Sequence, residues 1–182
     1  MLKLLMGFLA LASAMAGVAQ AKPFTARDLA TLERISDPRV SPDGRFVAYN
    51  LRSTDWEANR GANALWVLDT RGPAPARLIR DEEKAATSPR WSADGRWLYF
   101  LSSRSGTTQV WRATADGAEA RQMTSLPVDV AFYRLAPDGS AVVVAADVWA
   151  DCDTLACSKS RDEARAKEKS TGVVYQGATA RF

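Results

Sequence analysis

Cys152 and Cys157 are the side chains whose type and spacing best suit covalent chemistry, and they are the chain's only cysteines. In an oxidising compartment so close a pair reads as a disulfide. The loop is short, so the crosslink is worth about 2 kcal/mol on the chain-entropy account. Two sharper readings compete with it. Asp151 and Asp153 flank the pair and would add oxygen ligands for a metal, but two thiols without imidazole match the usual ligand sets poorly. A redox-active pair fails on spacing, which is not Cys-x-x-Cys.

Histidine is absent altogether. That removes any Ser-His-Asp or Cys-His system, because no side chain can act as the imidazole base. Nor is there a Gly-x-Ser-x-Gly elbow, whose flanking glycines allow the sharp strand-to-helix turn. Ser103, Ser105 and Gly106 lie close together, but no glycine precedes them at the needed spacing. Ser105 reads as a loop serine, and Asp81, Glu82 and Glu83 as a solvated acidic run between elements. The expectation is a chain with no catalytic residue, cofactor or metal of its own.

What the sequence does repeat is a set of turns. Ser41-Pro42-Asp43-Gly44-Arg45-Phe46 is echoed by Ser92-Ala93-Asp94-Gly95-Arg96-Trp97 and by Ala136-Pro137-Asp138-Gly139-Ser140-Ala141. Asp43 and Asp94 stand 51 positions apart, and Asp94 and Asp138 stand 44 apart. In such turns Pro presets φ, Asp bonds its own backbone, and Gly accepts positive φ. Trp66 and Trp111 recur at a second equivalent place, 45 positions apart. Periods in the forties made of strands and turns are what propeller blades produce.

After each turn runs a stretch of residues suited to a pleated, half-buried surface. Trp97, Tyr99 and Leu101 alternate with Leu98, Phe100 and Ser102, so both faces are largely apolar. Such a strand belongs between neighbouring sheets. The fold class expected is all-β: a partial β-propeller of about two and a half four-stranded blades, with a short N-terminal helix and a helical C-terminal insertion. Blade one takes strands at 39–40, 46–53, 65–70 and 76–80, with residues 55–63 as an extended hairpin loop. Blade two takes 88–91, 97–103, 109–114 and 120–124, and blade three begins with 131–135 and 141–148. Helices are expected at 26–34, where Thr25 and Asp28 form an N-cap pattern, and at 158–169. Phe46, Trp97, Trp66 and Trp111 are expected to pack between blades, while Trp56 and Trp149 fall outside the repeat and are expected to be exposed.

The amino terminus addresses compartment. Lys3, an apolar stretch over residues 4–18 and Ala19-Gln20-Ala21 follow the order of a cleavable secretory signal, with Lys22 opening the mature chain. The run is short for a bilayer span, so no stable membrane span is expected after cleavage. Segments follow as 1–21 signal, 22–36 helix and lead-in, 37–150 blades, and 151–182 insertion, helix and tail. The net charge of +3 comes from scattered basic residues and argues against nucleic acid as a partner. Unflanked blades leave open edges that template association, so the chain made alone is expected to self-associate or to be poorly soluble.

The run Phe24-Thr25-Ala26-Arg27-Asp28-Leu29, followed by Ile35-Ser36-Asp37-Pro38-Arg39-Val40-Ser41-Pro42-Asp43-Gly44-Arg45, resembles the opening of bacterial prolyl oligopeptidase-family peptidases. The segment from Asp151 to Cys157 is similar to an insertion in exported members, leading towards Thr171-Gly172-Val173-Val174-Tyr175. The resemblance implies a periplasmic or secreted propeller that admits peptides to a separate α/β-hydrolase domain, absent here. It also implies that the tail from Gln176 to Phe182 departs from the family's continuation. A TolB-like periplasmic propeller that binds protein partners is the alternative, since such propellers use Pro-Asp-Gly turns freely.

Overall fold

The computed structural model describes residues 23–72, 76–77 and 85–168. Helix α1 (Ala26–Thr31) begins in a reciprocal cap, in which Asp28 N–H donates to the Thr25 hydroxyl and Thr25 N–H donates to the Asp28 carboxylate. It stops short of the expected residue 34. Leu29, Leu32 and Ile35 repeat at helical spacing but are 57%, 54% and 64% exposed. With no core to hold the third turn, the backbone leaves the helix and pairs instead. Strand β1 (Arg34–Val40) therefore starts five residues earlier than its apolar content suggests, setting Ile35 opposite Leu51.

Blade one is a four-stranded antiparallel sheet in the order β1-β2-β3-β4, with β2 (Phe46–Asp55), β3 (Arg60–Asp69) and β4 (Ala76–Arg77). The stretch 55–63 is not a loop. The β2–β3 ladder continues to the Asp55–Arg60 pair, leaving only a tight turn through Trp56 and Asn59. Asn59 adopts φ +47° there, a conformation its short polar side chain tolerates. Blade two repeats the order with β5 (Ala86–Trp91), β6 (Leu98–Ser102), β7 (Gln109–Ala113) and β8 (Ala120–Gln122). Blade three is the pair β9 (Phe132–Leu135) and β10 (Val142–Ala145).

Helix α2 (Leu155–Ala166) follows, three residues ahead of the expected start because Thr154 caps it by accepting from Cys157 N–H. Residues 1–22, 78–80, 81–84 and 169–182, where the signal, the rest of blade one's fourth strand, the acidic run and the tail were placed, lie outside the described residues.

The core is two seams, one on each face of blade two. Leu98, Phe100 and Ala113 meet Ala48, Leu65 and Val67 of blade one, with Phe46, Trp91 and Trp111 at the margin. On the opposite face Tyr99, Leu101 and Val110 meet Val130 and Tyr133, joined by Trp97, Leu135 and Val142. All five residues of β6 are buried, as expected of a strand apolar on both faces. Gln109, also fully buried, binds blade two to the following segment. Its amide donates to the carbonyls of Leu126 and Val128 and accepts from Leu126 N–H and the Thr124 hydroxyl.

Candidate functional site

The repeated turns are built alike. The Ser41 hydroxyl donates to the Asp43 carboxylate and accepts from Phe46 N–H, while Arg45 N–H donates to the same carboxylate. Ser92, Asp94, Arg96 and Trp97 make the same three bonds. Gly44, Gly95 and Gly139 complete these turns at φ +70°, +70° and +73°, where a β-carbon is costly. In the third copy Ala136 has no hydroxyl, and Ser140 supplies it from the other side of Asp138. Hydrogen bonds from the neighbouring hydroxyl, then from backbone N–H, hold Asp43, Asp94 and Asp138 below the usual carboxylate range. These are exposed structural turns in which one carboxylate oxygen of each aspartate accepts both local bonds. Thr114, Asp116 and Gly117 form a fourth such turn between β7 and β8. The Ala-Asp-Gly tripeptide was its visible signal, hidden by lying at a different place in the repeat.

A second repeated feature was not legible as a motif. The first strands of blades one and two each carry a bulge, in Ser36–Arg39 and in Thr87–Arg90. Asp37 and Ser88 occupy the two bulges at φ +48° and +58°, each followed by a proline that a regular ladder would exclude. From these positions the first strands reach across the seams. Asp37 pairs with Arg39 of its own strand and, at 2.7 Å, with Arg90 of blade two. Trp91 donates its indole N–H to Arg39 O, and the Tyr133 hydroxyl donates to Ser88 O at 2.7 Å. Burial pushes the Tyr133 hydroxyl far above the ordinary tyrosine range.

Trp66 and Trp111 occupy equivalent register positions, opposite Tyr49 and Phe100. Trp111 packs into the seam between blades one and two. Trp66 faces away from that seam and lines an open cavity of about 290 Å³ with Glu33, Leu51, Asp55, Arg60 and Ala64. Its indole N–H is enclosed there with no partner among the described residues.

Cys152 and Cys157 are joined by a disulfide across the start of α2. Asp151 is engaged by Arg161, and Asp153 is exposed. Trp149 is half-buried rather than exposed: its indole N–H donates to Asp162, and Arg161 and Arg165 lie over its ring. The helix that follows it in sequence folds back over the ring, a contact invisible to repeat spacing. Trp56 is 44% exposed, under the Arg27 guanidinium.

Four-stranded antiparallel sheets packed face to face, with Asp-Gly turns between their strands, define a β-propeller segment. The chain belongs to the PD40 family of TolB beta propeller domains, which it matches over residues 28–166. It is 33% identical over 124 residues to the uncharacterized peptidase YuxL of Bacillus subtilis, covering 68% of this chain and 19% of that protein. It is 29% identical over 129 residues to dipeptidyl-peptidase 5 of Porphyromonas endodontalis, covering 71% and 18%. The fold resembles that of Pyrococcus horikoshii acylaminoacyl peptidase, with a TM-score of 0.55 and 23% identity, covering 69% of this chain and 19% of that one. The chain thus spans about a fifth of the length of these relatives. The expected kinship with the propeller region of prolyl oligopeptidase-type peptidases holds.

Proposed function

We propose that this chain is the N-terminal, substrate-filtering propeller portion of an exported serine peptidase of the prolyl oligopeptidase type. The observation that carries the reading is the blade stack: it matches peptidases over the blade region, while a chain without histidine has no imidazole base for a Ser-His-Asp triad. The blades would screen peptides by size, and a separate α/β-hydrolase domain would cut them. Export is supported by the order of charge, apolar run and Ala-Gln-Ala at the amino terminus, and a disulfide suits the periplasm or exterior. Among the described residues no helix is long and apolar enough to cross a membrane. Self-association through open faces is supported by Val40, Phe132 and Val143, which are 62%, 45% and 67% exposed.

The test is peptide hydrolysis by the full product of the locus, set beside this 182-residue chain. The reading expects cleavage of short peptides by the former, slower cleavage of folded proteins, and none by the latter. A full product that hydrolyses no peptide but retains a periplasmic protein would establish the TolB-like binding module instead. Sequencing the mature amino terminus tests export, with Lys22 as the expected first residue.

A further inference from the structure

We propose that the first strands of the three blades form a basic stripe that binds carboxylate-rich peptide segments. The inference rests on the filtering reading above and gives the filter a charge preference.

Arg39, Arg90 and Arg134 each stand two residues before the residue that opens a repeated turn, Ser41, Ser92 or Ala136. They therefore occupy the same place on β1, β5 and β9. Together with Arg34, these three strands hold four arginines and a single carboxylate, Asp37. The whole chain is nearly balanced, with 24 basic and 21 acidic residues, so the excess is concentrated on one strand of each blade.

The structure brings those strands together. Asp37 lies between Arg39 and Arg90, spending one carboxylate oxygen on each. Tyr133, the neighbour of Arg134, bonds the backbone of β5 at Ser88. One carboxylate cannot neutralise two guanidinium groups, and Arg39 keeps 45% of its side chain open to solvent. Arg134 is exposed too, resting on the Phe132 ring at 4.8 Å with no ion pair among the described residues.

Guanidinium forks match carboxylates in a planar, two-point geometry. Stacked sheets lie about 10 Å apart, a distance that an extended chain covers in about three residues. At that spacing the exposed Arg39 and Arg134, two blades apart, lie within reach of an extended acidic segment of about six residues. Arg90, 21% exposed and bonded to Asp37 and to Pro89 O, ties the first two strands together. Asp37 sets the first two in place, and the strained φ of its bulge lets one carboxylate serve both blades.

The test is the binding of fluorescein-labelled hexaglutamate and hexalysine to the full chain, followed by anisotropy. Hexaglutamate is expected to bind tighter than hexalysine, more weakly as salt rises, and about tenfold more weakly for each arginine removed. Arg39→Gln with Arg134→Gln removes two and should weaken binding about a hundredfold. Arg39→Lys with Arg134→Lys keeps the charge but not the fork and should restore only part of the binding, a graded response that a merely folding-related loss would not give. Arg27→Gln with Arg165→Gln, away from the stripe, should leave affinity unchanged. Equal binding of the two peptides, or an affinity indifferent to the glutamine pair, would overturn the proposal. So would displacement of hexaglutamate by oligothymidylate at equal concentration, because the stripe would then recognise polyanions in general. The measurement needs no hydrolysis, so its failure leaves the filtering reading standing, and a failed hydrolysis test leaves the stripe standing.

Discussion

Blade two and blade one share a strand order, a turn and a bulge, yet they differ in how much of themselves they bury. Every residue of β6 is buried, whereas the corresponding strand β2 buries only Ala48 and Asn50. Three positions make the contrast concrete. Trp91 stacks on Phe46 of the preceding blade and Leu135 packs into the second seam, but their equivalent Val40 is 62% exposed. Trp111 enters a seam, and its equivalent Trp66 lines an open cavity. Phe100 is fully buried, while Tyr49 at the same register position is only half-buried. Equivalent repeat positions therefore differ in burial, because a blade face is completed only by its neighbour.

The largest test of this contrast is a pair of matched truncations. Phe100→Ala should cost about 3–5 kcal/mol, the range for deleting a buried aromatic, and Tyr49→Ala clearly less, both read from denaturant midpoints. Equal losses would mean that blade one's outer face is covered in solution, and the contrast would be broken.

A smaller effect is expected at the second seam. Tyr133→Phe removes the bond to Ser88 O and should cost about 1 kcal/mol at neutral pH. The folded-state pKa of Tyr133 is raised, with burial as the first cause. Its contribution is therefore complete below the ordinary tyrosine value near 10 and declines as pH rises above it. Alkaline titration of stability should show a steep loss in the native chain and a shallower one in the phenylalanine variant. Matching curves would refute this assignment.

The smallest effect concerns the turns, where the blades should not differ. Asp43→Asn and Asp94→Asn replace carboxylates that are fully exposed and hold the same local bonds. Both carboxyls have depressed pKa values, so their stabilisation is present above the ordinary aspartate range and is lost as pH falls through the folded-state value. The two variants should lower stability equally at neutral pH and flatten its acid dependence equally. A difference between them would show that the turns feel the neighbouring blade.

Much of this architecture was legible in advance because its causes are local. The Asp-Gly turns, the alternation of β6 and the cap at Thr25 depend on residues within a few positions of one another. Where a reading failed, a distant partner was responsible. The stripe of Leu29, Leu32 and Ile35 asked for a third helical turn, but no apolar surface met it. The polar stretch 55–63 looked like a loop, but strand pairing across a four-residue turn extended the ladder through it. Trp149 was out of register with the repeat and is covered by arginines and an aspartate of α2.

The candidate site divides the same way. Sequence alone determined the absence of a histidine base, the spacing of the turns and the apolar character of both faces of β6, since composition and short-range stereochemistry suffice for these. Only the tertiary structure decided which faces are buried and that Asp37 stands between Arg39 and Arg90, 53 positions from the latter. It likewise decided that Tyr133 reaches back to the β5 bulge. Those features depend on how one blade is set against the next, and a distance along the chain carries no record of a distance across a seam.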